Sequence, residues 1–282
     1  MSIEKNNLQS MPSLFQISWP IFIDLGLHFS TLIINLAMVG MVSVDAVAEL
    51  TVGNQVFDLG FILFNFINIG VCVVCAQALG NGNLKIVRRV VHMGLGLNFI
   101  WGAIVSLAVF SCSFLIVRLM HVPPEIMKNS EGYLTILALS FLPEALCLCQ
   151  AQILRAYGRT RDSMYVAVLM NVITVVGNYI LLFGAFGLPK LGVQGVAVST
   201  VLGRFVCVFV FFYMLRRVIR FHIVPRFLFS IKTKILRQML NVGLPGAGEN
   251  LSWHTQYMFM TSVVASLGAV SLATHGIYFQ MS

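Results

Sequence analysis

The sequence predicts an all-α, polytopic membrane protein: a six-helix bundle followed by the first one to two helices of a second, parallel repeat. Composition is the first reason. Hydrophobic residues make up 58% and charged residues 10% of the 282, against roughly 25% charged in soluble domains. A soluble chain of this length has room for a large core but must still present a charged surface, so lipid is the natural solvent here. The second reason is a series of apolar stretches, each reaching the ~20 residues that a membrane helix needs. The third is an internal repeat. Residues 18–55 return at 244–280 with a shift of 225 positions, so that Pro20 meets Pro245, Asp24 meets Glu249, Val39 meets Val264, Ala48 meets Ala273 and Gln55 meets Gln280. Repeated halves in an apolar chain are the mark of secondary transporters.

Taken in order, the spans fall at about 14–41, 51–79, 87–119, 126–155, 163–184, 194–217 and 241–267, with the start of an eighth to the end. Loop charges set their orientation. Lys5 precedes span one, Lys85, Arg88 and Arg89 follow span two, and Arg155, Arg159 and Arg161 follow span four. Arg216, Arg217, Arg220, Arg226, Lys232, Lys234 and Arg237 follow span six, which puts fourteen of the eighteen bases on one side. The opposite loops hold Arg118, Lys128 and Lys190, and Arg204 lies within span six. The N-terminus is therefore expected in the cytoplasm and the chain in the cytoplasmic membrane. An even number of spans returns the chain to its starting side, so the repeat is parallel, with lobes related by an axis near the membrane normal. The expected divisions are a first lobe at 1–217, a basic cytoplasmic linker at 218–240 and the start of a second lobe at 241–282. Phe221, Ile223, Phe227 and Phe229 alternate with bases in the linker, a pattern suited to an anionic leaflet. The first residues are polar and carry no cleavable signal, so the first span is expected to stay as an anchor. The second copy ends at Ser282 soon after it begins, and the reading is one repeat and part of another.

Charge and cysteines exclude other classes. The net charge of +8 lies in loops between apolar spans, which is a topology signal and not a nucleic-acid patch. Cys72, Cys75, Cys112, Cys147, Cys149 and Cys207 all lie in apolar stretches and are expected as buried small hydrophobes, not metal ligands. No H-E-x-x-H, no G-x-G-x-x-G opening a helix and no P-loop lysine is present, so neither an intramembrane enzyme nor an ATP-driven pump is expected. No cofactor is expected either.

Polar groups within spans are costly and by default face a protein interior or a cavity. Span one carries Asp24, His28, Thr31 and Asn35 at helical spacing, span two Asn54, Asp58, Asn65 and Asn68, and span five Asn171, Thr174 and Asn178. Span four has Glu144 beside Pro143 and then Gln150, span six Ser199, Thr200 and Arg204, and span seven Glu249, Asn250, Ser252, His254 and Gln256. Single amides and hydroxyls serve as packing glue, whereas stripes on several helices together predict a hydrated central cavity for substrate and coupling ion. Asp24 with His28 one turn on is the leading proton or cation site, the alternative being a self-satisfied pair or an Asp24–Arg204 ion pair. Asp58, Glu144 and Glu249 are secondary candidates. Pro20, Pro143 and Pro245 are expected to kink their helices.

Several segments together resemble the multidrug and toxic compound extrusion (MATE) family. They are Trp19–Pro20, AQALGNGN at 76–83, ILRAYGRTRDSM at 153–164, NVITVVGNYILLFG at 171–184, GLPKLGVQGVAVST at 187–200 and NVGLPGAGEN at 241–250. The resemblance covers the first lobe and the opening of the second, and implies that the remainder of the second lobe is missing here. It implies an antiporter that exports organic, often cationic, small molecules against Na+ or H+. The family's first-helix aspartate falls at Asn35 and its fifth-helix acid at Asn178, so both charges are replaced by amides. Thr174, Asn178 and Thr200 match polar positions of the family's first-lobe site, Asp24 shares a stripe with Asn35, and a transient Na+ is expected at Asp24 and Asn178. A second-lobe acid position falls at Trp253, with Glu249 one turn earlier. The alternatives are a lipid-linked precursor flippase of related fold, which needs a more basic cavity than Arg204 alone supplies, and a non-functional truncated fragment.

Overall fold

A computed structural model describes residues 14–120, 124–187, 190–218 and 232–265. Among them are eight α-helices: α1 (Leu14–Gly40), α2 (Val44–Gly80), α3 (Leu84–Leu119), α4 (Pro124–Ala138), α5 (Phe141–Ala156), α6 (Thr160–Phe183), α7 (Val193–Val218) and α8 (Thr233–Ala265), with a short 3-10 turn at Ala185–Gly187. Five are long and apolar enough to cross a membrane, and α4 with α5, bent by 44° at their break, pass the same test together, which makes up to six spans if the pair is one broken span. The polytopic, all-α fold read from the sequence is the fold observed. The eighth span and the hydrophobic residues of the basic linker lie outside the described residues.

Helix ends follow local chemistry. The Ser43 hydroxyl accepts the Ala46 N–H at 3.0 Å at the start of α2, and Asn83 Oδ1 accepts the Ile86 N–H at 3.2 Å at the start of α3. Each side chain satisfies one of the donors that a first turn leaves open. Between them Gly82, at φ 67°, makes the left-handed step of the turn. Gly184, at φ 71° and ψ 36°, closes α6 in the same conformation.

The fourth span, expected as one helix at 126–155, is broken at Leu139 and Ser140. The Leu139 and Ser140 amides bond back three residues to Ile136 and Leu137, which tightens and ends α4. A continuous helix would need an N–H at Pro143 for the Leu139 carbonyl, and proline has none. By contrast Pro20 and Pro245 lie inside α1 and α8, which remain helical around them. α8 begins at Thr233, within the expected linker. It covers the expected seventh span, but its described residues, with Glu249, Asn250, Ser252, His254 and Gln256 among them, hold no eighteen-residue window apolar enough to count as a span.

α2 is the central helix, in contact with α1, α3, α4, α5 and α8. Aromatic side chains of the bent span fill the space over its glycines: Tyr133 over Gly53 and Phe141 over Gly60. Further along, Gly70 faces the Met239 carbonyl and Gly243 faces the Phe66 carbonyl, so α2 and α8 cross backbone to backbone. Such small-residue crossings are how helices associate in lipid, where van der Waals contact replaces the hydrophobic drive. Large apolar side chains such as Phe22, Phe29, Leu107, Leu119 and Phe209 are exposed, as lipid-facing residues are. The cysteines divide in a way their apolar setting did not predict. Cys75, Cys147, Cys149 and Cys207 are buried, but Cys72 is half-buried and Cys112 is exposed on α3, close in sequence to the equally exposed Phe114 and Leu115. A bilayer tolerates a small apolar group on either face of a helix, so apolar surroundings in sequence do not separate core from lipid.

Candidate functional site

Among the polar links that join helices within the bundle, three involve residues singled out in the sequence on α1, α5, α6 and α7. At one end Arg155, in the last turn of α5, donates from Nη2 to Asp24 Oδ2 on α1 at 2.5 Å, with both side chains about a quarter exposed. Asn35, eleven residues further along α1 and so about 16 Å along its axis, accepts from Asn178 Nδ2 of α6 at 2.8 Å. Across the bundle Arg204 of α7 donates from Nε to Glu144 Oε2 of α5 at 2.6 Å, and both side chains are nearly buried. The Arg204 guanidinium also lies 4.4 Å from the centre of the Phe57 ring of α2. One pair thus ties three helices together near the middle of their spans.

The Asp24–Arg204 ion pair, the alternative to an ion site at Asp24, is not the pairing found: Arg155 takes Asp24 and Arg204 takes Glu144. Arg204 lies too deep in α7 to meet Asp24, and Arg155, counted in the sequence as a loop charge, belongs to the helix end and turns inward. Asp24 and Asn35 share a stripe of α1 as expected, but the stripe is shared between α5 and α6 and is not a single cluster. The His28 side chain lies outside the described residues. Thr174 is buried against α7, close to Gly203, and Ser199 packs on Gly177. The α6–α7 hairpin is a small-residue seam at these points, and Thr200 beside it is half-buried. On α2 the expected stripe meets different neighbours along its length: Asp58 is exposed, while Asn68 is fully buried and accepts from Asn98 Nδ2 at 2.9 Å. Glu249 is exposed on α8.

Sequence reading missed three partners. Asn98 sits in a glycine-rich part of α3 with no polar stripe around it. Asn129 donates to Glu49 at 3.0 Å between α4 and α2, a contact eighty residues apart in sequence. Arg155 was hidden by its place beside a loop. Several amide atoms, Asn178 Oδ1, Asn68 Nδ2, Asn98 Oδ1 and both polar atoms of the Gln150 side chain, are buried without a protein partner. Buried water is the usual partner of such groups. Among the described residues no group of three His, Cys, Asp or Glu is placed to hold a metal ion.

The MatE family profile matches residues 20–180, which run from the proline of α1 through the Asn35–Asn178 link. The chain belongs to the MatE family. It is 33% identical over 263 residues to an uncharacterized transporter, YisQ, of Bacillus subtilis, covering 93% of this chain and 58% of that one. It is 29% identical to a probable multidrug resistance protein, NorM, of Thermotoga maritima, covering 86% of this chain and 52% of that one. The chain thus spans about half the length of the curated relatives it matches. A MOP superfamily transporter from Pyrococcus furiosus, described as having a binding pocket of reversed polarity, superposes with a TM-score of 0.85 at 22% identity, over 94% of this chain and 58% of that one. A MATE protein solved in a bent conformation superposes with a TM-score of 0.82 at 22% identity, over 93% of this chain and 58% of that one. At that identity these structures speak for the fold of this MatE chain alone.

Proposed function

We propose that this chain is the first lobe, with the start of the second, of a secondary active efflux transporter that exports organic, cationic compounds in exchange for H+ or Na+. The observation that carries the reading is the set of partly buried polar links across an apolar bundle in a MatE chain: Asp24–Arg155, Asn35–Asn178 and Glu144–Arg204. Packing alone needs few polar contacts per helix, and ionised side chains are retained in spans where substrate or ions pass. The mechanism is alternating access, with two lobes rocking about a cavity near the bilayer midplane. A coupling ion drives that rocking only by the difference between its affinities for the two states.

Orientation belongs to the same proposal. Lys85, Arg88, Arg89, Arg159, Arg161, Arg216, Arg217, Lys232, Lys234 and Arg237 are described on loops and helix ends and exposed, and the positive-inside rule puts them in the cytoplasm. The flippase reading is weaker than the sequence made it. Its basic cavity would rest on Arg204, and that charge is matched by Glu144.

The test is efflux of a fluorescent cationic dye from cells that express the whole gene product, with an imposed sodium gradient and then a pH gradient. Efflux that follows one gradient and stops when it is collapsed is the expected result; efflux indifferent to both sinks the antiport. Asp24→Asn is the accompanying variant. A slower but still ion-responsive efflux assigns Asp24 to the link between α1 and α5, whereas loss of the response places the ion on α1.

A further inference from the structure

We propose that the Glu144–Arg204 pair is the proton-coupling site of this lobe, so that the coupling ion is H+ and Glu144 is its acceptor; the inference rests on the antiport reading above. The place where the resemblance leads one to look for the ion cannot change charge. Asn35 and Asn178 are neutral amides joined by a hydrogen bond. Of the other acids described in the helices, Asp24 sits at the Arg155 end of the bundle and is a quarter exposed, Asp45, Asp58 and Glu249 are exposed, Glu131 and Asp162 are half-buried, and Glu49 is buried near the start of α2 with the neutral Asn129 donating to it. Glu144 is buried, one turn past the bend that breaks the fourth span, about 16 Å along α5 from Arg155. Arg204 stands near the middle of the 26-residue α7.

The electrostatics of this pair suit exchange. As an ion pair it carries no net charge. A proton on Glu144 Oε2 leaves the guanidinium, which keeps its own proton, as an uncompensated cation among apolar walls. A cationic substrate nearby adds a positive charge to the same surroundings. Proton and substrate therefore bind against each other, and by linkage each lowers the other's affinity equally. Titratable groups around the pair are few. Cys147 comes from its own helix, Cys207 from α7 and Tyr133 from α4, each in electrostatic contact with Glu144 or Arg204. α2 brings the Phe57 ring, followed by the exposed Asp58, and α3 brings Gly102, which meets Ala145 and Leu142.

A path from the pair to the second lobe is built into α2. Phe57 meets the Arg204 guanidinium on one side and the Phe141 ring at the bend on the other, with ring centres 5.4 Å apart, and Phe64 packs on the same Phe141 at 6.3 Å. The same helix crosses α8 at Gly70 and Gly243. Protonation of Glu144 frees the still-charged Arg204 guanidinium from its carboxylate and so changes how it sits on Phe57, and any tilt of α2 is passed to α8 through a contact with no side chains to absorb it.

The experiment uses the whole gene product, purified and reconstituted, with a fluorescent cationic dye as substrate. Proton release on dye binding is followed with a pH indicator, the dye Kd is measured across pH, and transport is driven by a pH or a sodium gradient. Wild type is expected to release protons, to bind dye more weakly as pH falls and to follow the pH gradient. Glu144→Gln is expected to release no proton from this site, to bind dye with a Kd independent of pH and to lose gradient-driven transport at least tenfold, while Glu144→Asp keeps proton release with a shifted pH profile. If Glu144→Gln does not fold, the uncharged combination Glu144→Met with Arg204→Met is read the same way. Proton release and a pH-dependent Kd that persist in either variant overturn the proposal. A wild type that follows sodium alone overturns it too but leaves the antiport standing, and a wild type that follows neither gradient removes the antiport itself.

Discussion

A guanidinium held 2.6 Å from a carboxylate inside an apolar bundle is stable only as a pair. Arg204→Met strands the Glu144 carboxylate, and the expected cost is about 3–5 kcal/mol of stability. Adding Glu144→Met removes the stranded charge and should restore stability to the wild-type level or above it. Unfolding of both variants in detergent, by heat or denaturant, checks this; a single variant as stable as the double would mean that the pair is solvated and contributes little. The amide link makes the opposite prediction. Asn35 and Asn178 offer no charge to a sodium ion, so sodium is not expected to stabilise the wild type through this position. Asn35→Asp together with Asn178→Asp places two carboxylates at one hydrogen-bond distance, and sodium should then raise stability by roughly 1.4 kcal/mol at ten times its Kd. A melting temperature indifferent to sodium in the double variant would show that the geometry cannot close around the ion.

At the scale of helices the informative contact is the crossing of α2 and α8. An added Cβ at Gly243 would press on the Phe66 carbonyl, an atom that cannot rotate away. Gly243→Ala is therefore expected to cost about 1–3 kcal/mol and to lower the yield of disulfide trapping between cysteines placed on α2 and α8. An equal yield would mean that the helices separate freely at this point. Elements of this kind also mark how far the sequence could be read. Spans were legible because hydropathy over some twenty residues depends only on the solvent, and Asp24, Asn35, Thr174 and Asn178 were legible because a polar group inside a span is costly wherever it points. The partners were not. Arg155 beside a loop, Asn98 among glycines and Asn129 opposite Glu49 are set by which helices meet, and periodicity within one helix carries no information about its neighbour. The break at Leu139 and Ser140 was half legible: Pro143 announced a disturbance, but its size follows from how Phe141 seats over Gly60 of α2.

For the whole molecule the question is whether α4 and α5 together cross the membrane or turn back within it. Fifteen and sixteen residues are each too short to span a bilayer, which takes ~20, so a re-entrant hairpin is a real rival, and it would invert every element that follows. Packing decides between them. Gly94 near the start of α3 lies against Cys149, and Gly102 further along lies against Ala145 and Leu142. α5 therefore runs antiparallel to α3, and its Arg155 end stands level with the beginning of α3, not with its end at Leu119. A chain that leaves α3 at one face and finishes α5 at the other has crossed. It follows that Lys85, before α3, and Arg159, after α5, lie on one face, and that Lys128, in the first turns of α4, lies on the other. All three are exposed. With the native cysteines replaced, Lys85→Cys and Arg159→Cys should react with a membrane-impermeant maleimide from the same side of sealed vesicles, and Lys128→Cys only from the opposite side. Labelling of Lys128→Cys and Arg159→Cys from a common side would make the bent pair re-entrant and would end the six-span count on which the parallel repeat depends.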